Sequence, residues 1–466
     1  MSEERKFEIR NSKFEANPKS EVRMIRARDF VACKCSAING GLNLELGRRI
    51  RLSMSHIRTG GLQLLRMFAG CALALLANLA ACHALADSDK PVFDIVAIER
   101  PRIMEKAAKY LREEPVTVTA SHCERSAGGK HDFFSEGDYW WPDPKDSNGP
   151  YIQRDGMSNP DNFVEHRHAM IRLSEIIGTM GSAYVLTGDD KYVRQATKHL
   201  KAWFVDPETK MNPNLIYGQA IKGRATGRST GVIDTIHLVE VARGALIMSK
   251  SPAFAAKDFE DVQGWFREYL KWLTTHPYGT EERAAKNNHG VCWAMQAAAF
   301  AQLVGDEKQL AAIRQQFKTV FVPNQMAEDG SFPAELRRTK PYGYSLFVID
   351  AMAGVAQIAS TPEDDLWQFA LPDGRGMNKA MEFIVPYIED KSKWPGKHDV
   401  LYWDEWPVRQ PSLLFAGVKF NKPEYLKLWQ RLKADAQTPE VVRNVPLRHP
   451  LLWLGGAKSV ASDAQK

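Results

Sequence analysis

Cysteine is scarce where a cross-linked or metal-bound fold would need it. Of six cysteines in 466 residues, Cys33, Cys35, Cys71 and Cys82 fall within the first 86 positions, which leaves only Cys123 and Cys292 for the remainder. Two thiols so far apart make neither a disulfide framework nor a zinc site by themselves, and the one bridge open to them is with each other. A charge excess is also missing. Residues 1–86 hold 14 Lys and Arg against 7 Asp and Glu, so the net +6 of the whole chain becomes −1 over residues 87–466. The basic balance belongs to the leading segment and says nothing for nucleic-acid binding; an anionic ligand must be met by a local cluster. No Pro/Gly/Ser-rich linker divides residues 87–466, and convincing strand alternation is absent, which argues against separate domains and against an all-β fold.

The leading segment has its own logic. Residues 58–86, RTGGLQLLRMFAGCALALLANLAACHALA, carry Arg58 and Arg66 ahead of an apolar run that ends in Ala84-Leu85-Ala86 before Asp87. This is the layout of a secretory signal, and the run is too short to read as a membrane span. The polar residues 1–53 would bury such a signal inside the chain, so the working start is expected nearer Met54 or Met67. Leu79-Ala80-Ala81-Cys82 also fits a bacterial lipobox, with Cys82 lipidated. The expectation is therefore an extension over 1–53, a signal over 54–86, and one domain over 87–466 in a periplasmic or secreted location, soluble or lipid-anchored at Cys82.

From Phe163 onward the pattern is helical. Residues 168–188, 191–204, 231–248 and 261–276 all space apolar side chains at three and four. The helices pair through similar turns: AYVLTGDDKYVRQATKHLKAWF and AFAQLVGDEKQLAAIRQQFKTVF each run helix, Gly-Asp-acid-Lys, helix, with Gly188 and Gly305 placed to end the first helix. LLFAGVKFNKPEYLKLWQRL is a weaker third copy. Repeated helical hairpins predict an all-α fold, an α/α toroid with long loops forming a cleft at one end.

Three loops carry the polar chemistry. Residues 135–156, SEGDYWWPDPKDSNGPYIQRDG, present Tyr139, Trp140 and Trp141, flat faces on which sugar rings stack or aromatics that pin the loop. Residues 206–231 supply Asn212, Asn214, Gln219, Arg224 and Arg228, a density of amide and guanidinium groups suited to a hydroxyl-rich, acidic ligand. The third, EDGSFPAELRRTKPYGYSLF (328–347), gathers Arg337, Arg338, Lys340, Tyr342 and Tyr344. Ahead of an apolar helix stands KNNHGVCWAM (286–295), in which Asn alone would be a helix cap.

Taken together these residue types suit β-elimination on a uronic acid. Removing the C5 proton beside a carboxylate requires that the carboxylate first be neutralised by amide, imidazole or guanidinium donors. A base and an acid are then needed, and a tyrosine among cations can have its pKa lowered enough to serve as both. Asn288, His289, Arg337 and Tyr344 are the residue types this scheme requires, with Tyr139, Trp140, Trp141, Asn214, Gln219, Arg228, Lys286 and Tyr342 as candidate substrate contacts. No metal or other cofactor is called for; a Glu165, His166, His168 site is disfavoured because His166 and His168, two apart on a helix, point different ways.

Over roughly residues 130–360 the sequence resembles the alginate lyase superfamily of helical-toroid polysaccharide lyases, through GDYWWPDP, WFVDPETKMNPNLIYGQAIKG, GRSTGVIDT, KNNHG and the spacing from Arg337 to Tyr344. The resemblance implies an acidic polysaccharide as the partner, alginate or glucuronan. It also implies that Asn288, His289 and Arg337 neutralise the uronate carboxyl while Tyr344 is acid and base. The tryptophan-rich loop and Gly290 are more similar to the branch in which alginate and glucuronan lyases share one toroid, where a histidine can be the base and tyrosine the acid. Two alternatives stand beside it. One is a glycoside hydrolase using two of Asp138, Asp234, Glu335, Asp404 and Glu405; the other is a glycan-binding protein without chemistry.

Overall fold

The computed structural model describes residues 93–455, which belong to one compact unit. The extension, the signal and Cys82 lie outside the described residues. Helices α1 (Ile95–Tyr110), α2 (Glu165–Thr187), α3 (Asp190–Phe204), α4 (Leu238–Met248), α5 (Ala256–Thr275), α6 (Pro277–Arg283), α7 (Asn288–Val304) and α8 (Glu307–Gln316) fill its first part. They are followed by α9 (Pro341–Ala359), α10 (Met377–Glu389), α11 (Pro411–Lys419), α12 (Pro423–Arg431), α13 (Pro439–Arg443) and α14 (Leu451–Leu454).

The architecture is the expected α/α toroid. Helices α2, α4, α7, α9 and α11 pack in succession as an inner ring, with α3, α5, α8 and α12 laid outside their hairpin partners or neighbours. Inner helices are apolar nearly all round: Val291 to Ala301 of α7 and Leu346 to Ala356 of α9 are buried without interruption, the pattern of a helix enclosed on every side. Outer helices keep one wet face, as α3 does with Tyr192, Val193, Ala196, Leu200 and Trp203 buried and Lys191, Arg194, Lys198 and Lys201 exposed. The hairpin glycines do what their positions require. Gly188 sits at φ 68° and Gly305 at φ 75°, and their N–H groups bond to Tyr184 and Ala301 carbonyls. In the third hairpin Asn421 takes the left-handed conformation instead, at φ 52°.

The ring is closed by a polar clasp. Fully buried Glu240 on α4 accepts the backbone N–H groups of Arg448 and His449 at 2.8 Å each, His449 Nδ1 at 2.6 Å and Trp453 Nε1 at 3.1 Å. This fastens the C-terminal segment, whose α14 packs across α2 and α4. One helical expectation changes. Residues 231–248 do not form one helix, because Ser229–Thr235 is a 3-10 segment and α4 begins only at Leu238.

Strands exist but are too short to register as alternation. β1 (Phe134–Glu136) pairs in parallel with β4 (Tyr217–Ala220), and β2 (Trp140–Trp141) pairs antiparallel with β3 (Ile152–Gln153), with Trp140 opposite Gln153. They hold the first two polar loops against the helices.

Burial sets one consequence for stability. Asp350 lies inside α9, 2 % exposed, and accepts from Ser412 N at 3.1 Å, with Gln410 as a second donor once its amide nitrogen faces the carboxylate. Burial lifts its pKa to about 7. A carboxyl raised in the folded state costs nothing below the unfolded value, and the cost grows as pH climbs toward 7 and then stays constant. Asp350→Asn is therefore expected to raise the melting temperature more at pH 8 than at pH 5, the gain in stability reaching up to roughly 4 kcal/mol at the higher pH. Equal shifts in thermal melts at both values would contradict this.

Candidate active site

The first turn of α7 builds one wall of a cleft of about 170 Å³. Asn287 is the plain helix cap, its Oδ1 accepting His289 N at 3.2 Å. The next two residues are held quite differently. Asn288, 1 % exposed, gives its backbone N–H and its Nδ2 to the two oxygens of Glu335 at 2.7 Å each. His289 places Nδ1 2.5 Å from Oε1 of Glu282, a carboxylate on α6 that is itself buried. Gly290 lets this turn sit down, since a Cβ there would lie 2.3 Å from the Ala285 carbonyl oxygen.

Electrostatics follow from that clamp. Burial pulls the His289 pKa down, but the charge and hydrogen bond of Glu282, with Glu335 behind, outweigh both burial and nearby Arg338, and the net shift is upward. Nε2 of His289 has no hydrogen-bond partner among the described residues, and the ring lines the cleft. Burial likewise raises Glu335, with the two Asn288 bonds offsetting only part of the effect.

Facing this wall, Tyr344 stands on the first turn of α9. Its hydroxyl receives Arg338 Nη2 at 3.1 Å and lies 2.7 Å from the hydroxyl of Tyr139. The Arg338 guanidinium also covers the Tyr344 ring, 4.2 Å from its centroid, and is fixed by Asp155 at 2.7 Å. The expectation of a tyrosine pKa lowered by cations is corrected. Burial is the largest influence and drives Tyr344 well above the ordinary value, with Tyr139 adding and Arg338 opposing. Raised in this way, the Tyr344 phenol keeps its proton at neutral pH.

A third side supplies the cations. Arg443 pairs with Asp138 at 2.5 Å and with Glu440 at 2.7 Å, and Lys340 pairs with Glu440. Arg228 differs: Nε and Nη2 donate to the Gln219 carbonyl at 3.0 Å and to Gln219 Oε1 at 2.7 Å, and no carboxylate of the described residues lies within 4.0 Å. Gln219 achieves this double grip at φ 50°, an uncommon conformation for a residue with a side chain. Burial accordingly depresses the Arg228 pKa, with only distant Asp234, Asp138 and Glu282 supporting the charge.

The two tryptophans divide. Trp140 lines the cleft with Arg224 and Arg228 over its ring at 5.4 and 5.9 Å, whereas Trp141 donates to the Met157 carbonyl at 2.8 Å under Arg154 and pins the β2–β3 hairpin. Tyr139, Gln219 and Arg228 line the cleft as well. Besides Trp141, four expected residues do not. Arg337 caps the short turn Pro333–Leu336 and is exposed, one residue and about 100° of helix away from Arg338, which takes the cleft position. Tyr342 is fully buried, donates to the Tyr387 carbonyl at 3.0 Å and packs against Trp394 and Trp403, so it is core. Asn214 bonds the backbone of Ile216 at 3.3 Å in its own loop, and Lys286 is exposed ahead of α7.

The carboxylates proposed for hydrolysis are otherwise engaged. Asp138 and Asp234 share Arg167 at 2.8 and 3.3 Å, Glu335 holds Asn288, and the Asp404 side chain is 95 % exposed. Asp138 and Asp234, the two of these that line the cleft, are both tied to the Arg167 guanidinium. His166 anchors backbone, with Nδ1 accepting from Phe134 N and Nε2 against the Ser121 carbonyl, both at 3.0 Å. Cys123 and Cys292 are buried and unbridged.

The family model described as Alginate lyase matches residues 117–394. Among solved structures, the chain is similar to an alginate lyase from Bacteroides ovatus, at 33% identity and a TM-score of 0.66, covering 81% of this chain and 97% of that one. It is more distantly similar to an alginate lyase from Sphingomonas species A1, at 15% identity, TM-score 0.47, covering 75% and 94%. A histidine-to-alanine variant of an alginate lyase complexed with tetrasaccharide aligns at 14% identity, TM-score 0.48, covering 78% and 94%. No curated protein sequence matches the chain.

The close seat of Gly290 yields a test. Gly290→Ala must push the α7 start away from the Ala285 carbonyl, and overpacking of this kind costs about 1–3 kcal/mol. A melting temperature lowered by several degrees is expected, and an unchanged melt would show that the turn is not tight.

Proposed function

The chain belongs to the alginate lyase family and is a polysaccharide lyase, and from that premise we propose that it cleaves alginate by β-elimination with His289 as base and Tyr344 as acid. The observation that carries this assignment is the pairing of a bare imidazole nitrogen, backed by a buried carboxylate, with a protonated phenol across the same cleft.

Arg228, the cleft guanidinium without an ion pair, and the second Nδ2 hydrogen of Asn288 take the carboxylate of the sugar to be cleaved. Neutralising it lowers the barrier to forming the enolate at C5. Above the His289 pKa, Glu282 keeps the proton on Nδ1, and Nε2 is left to accept the C5 proton. The electron pair from the C5–H bond moves into the carboxylate and then returns to form the C4–C5 double bond as the C4–O bond breaks. Tyr344 gives its proton to the departing oxygen, and Arg338 at 3.1 Å steadies the phenolate that remains. Trp140 offers a ring face beside the cleft for a neighbouring sugar.

A raised imidazole pKa places the acid limb of the rate profile above the ordinary histidine value, and Glu282 is its cause. Glu282→Gln should therefore move that limb to lower pH, because burial and Arg338 then act unopposed except by Glu335, while kcat falls. A limb that stays in place would remove His289 from the base role. Tyr344→Phe should lose about 100-fold to 10,000-fold in turnover, as expected for a lost general acid. The assay is the ultraviolet absorbance of the unsaturated uronate product formed from alginate, its homopolymeric blocks and glucuronan. Full activity in Tyr344→Phe, or chain shortening without absorbance, would overturn the proposal.

A further inference from the structure

The hydroxyl of Tyr139 has an unusual set of neighbours. Lys340 Nζ donates to it at 3.0 Å and Arg443 Nη2 at 3.4 Å, and Tyr344 Oη lies 2.7 Å away. Ammonium and guanidinium groups have no acceptor capacity, so Tyr139 Oη accepts from both and its single proton has one direction left, toward Tyr344. The same accounting applies one step along. Arg338 can only donate to Tyr344 Oη, and Tyr139 donates to it too, which occupies both lone pairs. The proton of Tyr344 itself then has no protein acceptor and points into the cleft.

We infer that Tyr139 is a positioning residue for the elimination: it aims the Tyr344 proton at the leaving oxygen and takes up the negative charge that proton transfer leaves behind. This rests on the assignment of Tyr344 as the acid. As the C4–O bond breaks, the Tyr344 O–H bond breaks and the proton joins the leaving oxygen. The Tyr139 proton then passes along the hydrogen bond to Tyr344, whose oxygen is 2.7 Å from that of Tyr139, and the charge comes to rest on Tyr139 Oη beside Lys340 and Arg443. Those cations are held in place by Glu440 and Asp138, which is why a charge cluster stands behind a residue whose sequence context suggested only a sugar platform.

The test is Tyr139→Phe in the full chain, which keeps the ring and removes the hydroxyl. On alginate oligosaccharides kcat should fall about 10-fold to 100-fold, part of the whole effect of general acid catalysis, while KM stays within about threefold. A second substrate with a nitrophenolate leaving group at C4 departs without a proton, so on it the loss should shrink several-fold. The ratio of the two substrates within one preparation cancels any loss of folded protein. Equal losses on both, or a rise in KM without a fall in kcat, would make Tyr139 a packing or sugar-contact residue and overturn the inference. Tyr344→Phe run in parallel separates the two claims. An inactive Tyr344→Phe beside a Tyr139→Phe equal to the unsubstituted enzyme defeats this inference alone, whereas an active Tyr344→Phe defeats the acid assignment beneath it.

Discussion

Two buried carboxylates gripping consecutive residues, Glu335 on Asn288 and Glu282 on His289, are the constraint on which the cleft depends. A helix N-terminus is a poor place to fix side chains, because its first amides lack partners and its end frays. Here Asn287 satisfies one amide, Glu335 another, and Glu282 fixes the ring between them. The carboxylates come from different elements, α6 and the turn before α9, so the first turn of α7 is correct only when the toroid has closed around it. Truncating one partner of such a buried pair typically costs about 3–5 kcal/mol because the other is left without compensation. The same contacts thus fix the imidazole ring and tie the shape of the cleft to folding.

Charge is arranged by the same logic across the cleft. Arg167, Arg338, Arg443 and Lys340 each have a carboxylate inside the protein, and they act by holding other groups in place. Arg228 is left with neutral partners, at a cost in desolvation that an incoming carboxylate relieves. Under the proposed function that imbalance is what an acidic sugar would meet, without any basic surface, in keeping with the near-zero net charge of residues 87–466. Tyr344 shows the reverse case, a phenol whose burial outweighs a guanidinium lying directly over its ring.

The toroid was legible because its helices space apolar residues at three and four and its hairpins repeat a Gly-Asp-acid-Lys turn. The KNNHG segment was legible as a site, since two amides and an imidazole at a helix mouth are more than capping needs. What failed were choices between near neighbours in sequence. Tyr342 and Tyr344 stand two apart on a helix and so face about 200° apart, one into Trp394 and Trp403 and one into the cleft. Arg337 and Arg338 differ by where a four-residue turn ends, which no periodicity in so short a piece can fix. Glu282 gave no signal and Glu335 stood only among the candidate hydrolytic carboxylates, because their partners are set by tertiary packing across a broken helix and a loop.

The central claim is that Glu282 leaves Nε2 of His289 bare and ready for the C5 proton. Nitrogen-15 NMR of histidine-labelled enzyme, titrated through neutral pH, reads that state directly. The account predicts a neutral ring protonated on Nδ1, with a pKa above the ordinary histidine value. A neutral ring protonated on Nε2, or a pKa below that value, would contradict it.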